Sequence, residues 1–316
     1  MKIVITDADT VFDGDVSAEA LYALGNVTAF GLTSPEELAD RIADADIVLC
    51  NKTPMTAEAM AAAPNLKYIG LFATGYNNID LVYARAHGIT VCNVPGYSTD
   101  AVAQHTFAFI LALTNRVGEY NETIAAGDWV KSRTFSYFPL PLAELAGKTI
   151  GIVGYGAIGR RVADIARAFG MSVLVYTRRP CGDPTVEQVT LDELLSRADI
   201  VTLHCPLNEQ SAGMMDTAAF AKMKKGALFI NTARGPLVDE AALRAALDSR
   251  HLGGAGLDVL CREPMAADCP LLGAPRCLLT PHIAWAGRET RQRLVKLVAD
   301  NVRAFMNGKP INTVVG

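Results

Sequence analysis

At 316 residues the chain is long enough for two domains of ordinary size, and with half of its residues apolar its composition argues against disorder. A formal net charge of −4 without a long basic run leaves little support for a nucleic-acid or anionic-membrane partner. The seven cysteines are scattered, odd in number and free of any CxxC pair, which fits reduced cytoplasmic thiols and gives no reason to expect a disulfide or a bound metal.

The N-terminus, MKIVITD, carries one basic residue and a strand-length apolar run followed by an acid, a pattern unlike a signal peptide. Strands are expected at 3–5, 27–30, 47–50, 68–72 and 90–94, with a helix near 17–24 and another from Ser34. Ser34, Pro35, Glu36 and Glu37 supply an N-cap, a first-position proline and first-turn acids. This alternation predicts a small parallel α/β unit. A helix begins at about Thr99. Its apolar stretch 101–113 is too short to span a bilayer and contains Gln104 and His105, so it reads as a buried helix linking this unit to the next.

The stretch TIGIVGYGAIGRRVADIARAFG at 149–170 is the most informative, because Gly154, Gly156 and Gly159 lie between an apolar strand and an amphipathic helix. The spacing assigns a tight turn to Gly154, close approach to a pyrophosphate to Gly156, and close helix–strand packing to Gly159. The phosphates would meet the helix N-terminus, which begins with Ala157 and Ile158 and whose unpaired N–H groups favour negative charge. The next strand, 171–176, runs into Thr177, Arg178 and Arg179. An acid here would bind the ribose 2′-hydroxyl of NAD, whereas a hydroxyl and two guanidinium groups suit the 2′-phosphate of NADP. NADP is therefore favoured over NAD, with solvated surface charge as the alternative reading of both arginines.

Further strands are expected at 198–204, 227–231, 254–259 and 277–280, followed by a long amphipathic helix from Arg288 to about Asn307 that returns to the first domain. Polar clusters follow three of these strands: Asn231 to Gly235, Asp258 to Pro264, and Pro281 to Trp285. Hydride exchange at a carbon bearing oxygen needs an acid/base beside that oxygen, and histidine titrates in the right range. His282 follows a buried-looking strand; Glu263 would orient its ring and favour the imidazolium; Arg234 would grip a substrate carboxylate through two N–H bonds.

The motifs ATGYNNID at 73–80, NVPGYSTDAVAQHT at 93–106, the glycine fingerprint, NTARG at 231–235, and residues 258–264 and 281–286 together resemble the D-isomer-specific 2-hydroxyacid dehydrogenases, most closely their glycerate dehydrogenase (hydroxypyruvate reductase) branch. The resemblance covers nearly the whole chain. It implies a catalytic set of Arg234, Glu263 and His282, with substrate also held at Ala73, Thr74 and Gly75. It extends the cofactor-binding set to Cys205, Thr232, Ala233, Arg234, Asp258 and His282, with Asp258 at the nicotinamide carboxamide. The fold implied is α/β, two Rossmann-like doubly wound domains with the site in their cleft: 1–98 and 287–316 for substrate, 99–286 for the dinucleotide. Homodimers through the cofactor domain are usual in such enzymes.

The activity implied is NAD(P)H-dependent reduction of hydroxypyruvate to D-glycerate, with glyoxylate as a side substrate. A reductase of another small 2-oxo acid, or a dinucleotide-sensing binding protein of the same fold, is the alternative. Formate oxidation fits less well, since that branch resembles a Gln–His pairing where this chain has Glu263. Gln104 replaces the Glu often seen there in the wider family. Trp285, which stands where such enzymes have Ser or Gly, would put a large ring near the site mouth and favour small substrates.

Overall fold

The computed structural model describes residues 1–12 and 14–316. The chain divides into two compact units, Met1–Ser98 with Trp285–Gly316, and Thr99–Ala284. In the first unit, strands β1 (Lys2–Ile5), β2 (Asn26–Ala29), β3 (Ile47–Cys50), β4 (Tyr68–Leu71) and β5 (Thr90–Cys92) pair in parallel in the order β5-β4-β3-β1-β2. β3 and β4 are buried at every position, which is why IVLC and YIGL read as unbroken apolar runs. The helix Pro35–Ile42 starts where expected: Ser34 and Glu37 exchange a capping box and the proline occupies the first turn.

In the second unit β6 (Thr149–Val153), β7 (Ser172–Tyr176), β8 (Glu187–Gln188), β9 (Ile200–Leu203), β10 (Leu228–Asn231), β11 (Gly254–Leu257) and β12 (Cys277–Leu279) form a wholly parallel sheet in the order β12-β11-β10-β9-β6-β7-β8. Chain order reverses between β6 and β9, the switch point at which open α/β sheets bind ligands. One face is covered by the helices Thr99–Asn115 and Ala157–Ala168, with Ala103, Phe107, Ile110, Val162 and Ala166 packed against Ile150 and Ile230. The helices Leu191–Arg197, Thr217–Lys222 and Glu240–Asp248 cover the other.

The helix Arg288–Met306 buries Leu294, Val295, Val298, Ala299 and Val302 in the first unit's core beside Ile3, Ile5 and Tyr68. After it, β13 (Thr313–Val315) pairs antiparallel with β5, so the first sheet is mixed rather than wholly parallel. The chain re-enters this unit at Trp285, two residues before the expected 287, because the Trp285 ring makes an edge contact with Tyr97 at 6.4 Å and joins the same core. All seven cysteines are free thiols. No described helix is long and apolar enough to cross a membrane.

Candidate active site

The turn after β6 opens onto a cleft of about 800 Å³ at the switch point of the second sheet. Gly154 takes φ +97°, and a Cβ there would come within 2.6 Å of the His204 carbonyl carbon and the Cys205 nitrogen at the end of β9. A Cβ at Gly159 would overlap the Gly154 carbonyl oxygen, so helix and turn meet backbone to backbone. At Gly156, by contrast, a Cβ would meet nothing within 4 Å. That residue is the extended N-cap of the helix Ala157–Ala168, and no side chain caps it. A bare turn beside an uncapped helix N-terminus suits a dinucleotide diphosphate.

Thr177, Arg178, Arg179 and Cys205 line the same cleft. Both arginines are exposed, and among the described residues neither forms an ion pair with a carboxylate. Their loop is held from behind. Gln188 Nε2 donates to the Thr177 and Arg179 carbonyls at 3.2 and 3.3 Å, and Arg160 Nη2 to the Cys181 carbonyl at 3.0 Å. Tyr155, inside the glycine fingerprint, donates its hydroxyl to Asp183 at 2.7 Å. Hydrogen bonds from Thr185 and Tyr155 hold the Asp183 carboxyl down at about 2, while burial, then the bond to Asp183, pushes the Tyr155 phenol up to about 12. The clasping roles of Tyr155 and Gln188 were missed in the sequence, where neither residue type nor spacing announces them.

The carboxyl ends of β10, β11 and β12 carry the remaining polar residues. His282 Nδ1 lies 2.7 Å from Glu263 Oε2, while Glu263 Oε1 accepts from Leu260 N at 3.0 Å. The carboxylate therefore grips both the ring and its own loop. His282 has a left-handed backbone, φ +56°, and its N–H donates to the Asp258 and Thr280 carbonyls at 2.8 and 3.0 Å. The Asp258 side chain is 1% exposed and accepts from Thr280 Oγ1 (2.6 Å), Ile283 N (2.8 Å) and Ala284 N (2.8 Å). This bracing of the histidine turn is a task the sequence did not disclose for Asp258.

Arg234 is half-buried just past β10, and its Nη1 donates to the Ala233 carbonyl at 2.6 Å. No carboxylate pairs with it among the described residues. Buried Asn231 shapes its turn, accepting from Ala233 N and donating to the Arg234 carbonyl, both at 2.9 Å. Gly235 follows because a Cβ there would overlap the Leu260 carbonyl group of the Glu263 loop. Thr232 is buried, its hydroxyl 3.2 Å from that of Thr106. In the first unit Ala73, Thr74 and Gly75 follow β4; the Ala73 carbonyl accepts from Val94 N at 2.9 Å, and the Thr74 hydroxyl donates to the Val94 carbonyl at 2.8 Å.

A glycine-rich dinucleotide cradle and a carboxylate–histidine pair on one parallel sheet define a nicotinamide-dependent oxidoreductase. Residues 107–284 match the family model described as D-isomer specific 2-hydroxyacid dehydrogenase, NAD binding domain. The chain is 42% identical to a hydroxypyruvate reductase from Blautia hydrogenotrophica over 99% of each chain, and 42% identical to a glycerate dehydrogenase from Methylorubrum extorquens over 89% of each. Among solved structures it is similar to an acyclic imino acid reductase in complex with NADPH and D-Arg, with a TM-score of 0.89 and 32% identity over the whole of both chains. The chain belongs to the D-isomer-specific 2-hydroxyacid dehydrogenase family and is an NAD(P)-dependent oxidoreductase.

Proposed function

We propose that the chain reduces hydroxypyruvate to D-glycerate, with glyoxylate as a second substrate and NADPH preferred to NADH. The observation that carries the chemistry is the 2.7 Å contact between His282 Nδ1 and Glu263. The carboxylate accepts the Nδ1 proton and sets the ring's orientation, so Nε2 is the nitrogen from which a proton is delivered to the substrate oxygen. The half-buried Arg234 guanidinium pairs with the substrate carboxylate, and Ala73, Thr74 and Gly75 are the substrate-binding residues of the first unit. The dinucleotide, when bound, supplies the hydride. Gly154, Gly156, Ala157, Ile158 and Gly159 hold its diphosphate, with Cys205, Thr232, Ala233, Arg234, Asp258 and His282 completing its site. Curated relatives named hydroxypyruvate reductase, glycerate dehydrogenase and glyoxylate reductase support this substrate class.

The NADPH preference rests on Thr177, Arg178 and Arg179 at the cleft, whose described lining residues include no acid. Homodimerisation is part of the proposal: Trp129, Val130, Phe135 and Phe138, on a segment of the cofactor unit, are 50 to 92% exposed and form the kind of apolar surface that a second copy covers. The free thiols fit a reducing, cytoplasmic setting. Initial rates of NADPH and NADH oxidation with hydroxypyruvate, glyoxylate and pyruvate test the reading. Fast turnover of hydroxypyruvate with NADPH is expected. Silence with all six pairs rejects the activity, and a clear NADH preference rejects the cofactor reading alone.

A further inference from the structure

Behind the His282 turn lies a chain of hydrogen bonds that begins on the helix Thr99–Asn115. His105, on that helix, places Nε2 3.0 Å from Thr280 Oγ1. The Thr280 hydroxyl donates to Asp258 Oδ1 at 2.6 Å, and a hydroxyl has one proton to give. His105 Nε2 must therefore be the donor to Thr280, so that nitrogen carries a proton. A T-shaped contact with Phe109, 4.8 Å between ring centroids, holds the His105 ring in place. Asp258 passes the constraint on, accepting the amide protons of Ile283 and Ala284, the two residues directly after His282.

The sequence of bonds matters because His282 stands at φ +56°, a conformation a non-glycine residue keeps only where its surroundings over-determine it. Two supports do so: the backbone carbonyls of Asp258 and Thr280, which take the His282 N–H, and the Asp258 carboxylate, which takes the next two amides. Thr280 contributes to both, and its hydroxyl fixes the rotamer of the 1%-exposed carboxylate. Each bond in such a buried run polarises the next. We propose that Thr280 and His105 are positioning residues for the proton-transfer step: they act through Asp258 to hold the His282 turn in its reactive orientation. The proposal rests on His282 being the proton donor.

The test is steady-state kinetics with hydroxypyruvate, together with the coenzyme Kd from NADPH fluorescence, on Thr280→Val, Thr280→Ser, His105→Leu, His105→Gln and His282→Ala. Thr280→Val should lose about ten- to a hundredfold in kcat, what a small misplacement of a catalytic group costs, with substrate KM within about twofold of wild type and a coenzyme Kd that changes by less than kcat, since Asp258 also belongs to the coenzyme site. Thr280→Ser, which keeps the hydroxyl, should recover to within about threefold. His105→Leu should show a smaller loss of the same kind, and His105→Gln, whose amide N–H can replace Nε2–H, should recover it. A kcat for Thr280→Val within twofold of wild type, or a loss confined to coenzyme Kd, overturns the proposal. Should Thr280→Val fail to fold, the two His105 variants decide by the same criterion. An inactive His282→Ala beside a fully active Thr280→Val leaves the acid role standing and removes only this inference; an active His282→Ala removes the acid role itself.

Discussion

Glu263 Oε2 sits 2.7 Å from His282 Nδ1 while the other oxygen of the same carboxylate accepts the Leu260 amide, so ring and loop are locked by one side chain. An amide in place of the acid presents a donor as well as an acceptor and permits the other histidine tautomer. Glu263→Gln should therefore lower kcat at least about tenfold with little change in stability, and His282→Ala should lower it at least about a hundredfold, the low end of what general acid catalysis contributes. Turnover near wild type in either variant takes that residue out of the role.

Arg234 has no carboxylate partner among the described residues and its turn is braced by buried Asn231. A group that both binds the substrate carboxylate and polarises the reacting carbonyl acts in ground and transition states alike. Arg234→Ala should then raise the KM for hydroxypyruvate and lower kcat together. Arg234→Lys, which keeps the charge without the bidentate fork, should fall between the two. An unchanged KM rejects the carboxylate contact.

Much of this was legible because the central strands of the second sheet are parallel and buried: 149–153, 200–203, 228–231 and 254–257 read as largely apolar runs, and polar clusters follow 228–231 and 254–257. Glu263, His282 and Arg234 stand out for the same reason, as reactive side chains at strand ends. What escaped was of two kinds. Short edge strands such as Glu187–Gln188 and Thr313–Val315 carry too few residues for a period to show. Bracing contacts such as His105 to Thr280, or Tyr155 to Asp183, join residues 175 and 28 positions apart and depend on packing that no local spacing encodes.

Gly235 is required by its neighbour rather than by its own backbone. A methyl group there overlaps the Leu260 carbonyl, and Leu260 belongs to the loop whose amide Glu263 accepts. Gly235→Ala should destabilise the protein by about 1–3 kcal/mol, the usual cost of overpacking, and should lower kcat as well because the loop that yields is the one carrying Glu263. Thermal unfolding and steady-state kinetics on the same sample check this; a variant with wild-type Tm shows that the loop gives way without strain.

The proposed NADPH preference rests on two exposed charges at the cleft, Arg178 and Arg179. A charge-assisted hydrogen bond is worth about 1.5–3 kcal/mol, so Arg178→Ala with Arg179→Ala should raise the KM for NADPH by about ten- to a hundredfold while leaving that for NADH within about twofold. Tyr155→Phe, which unclasps Asp183 from the turn, should weaken NADPH in the same direction and by less. Equal losses for both coenzymes point to general damage of the cleft and not to 2′-phosphate recognition.

His204 links this cleft to acid stability. Part of the residue reaches the cleft, yet its Nδ1 is out of solvent with no hydrogen-bond partner among the described residues, while Nε2 lies 3.0 Å from Thr202 Oγ1. Burial pushes its titration down from 6.5 to about 3. Between those values the unfolded chain binds a proton that the folded chain refuses, so stability is lost as pH falls from about 6.5 toward 3, by up to ~1.4 kcal/mol per pH unit, and the loss levels off below. Above pH 6.5 the residue is neutral in both states and contributes no slope. His204→Gln, which keeps a group for Thr202 but cannot titrate, should flatten the fall in urea midpoint between pH 6.5 and 4 relative to wild type. Identical slopes in the two proteins would show that His204 takes up its proton in the folded chain as readily as in the unfolded one.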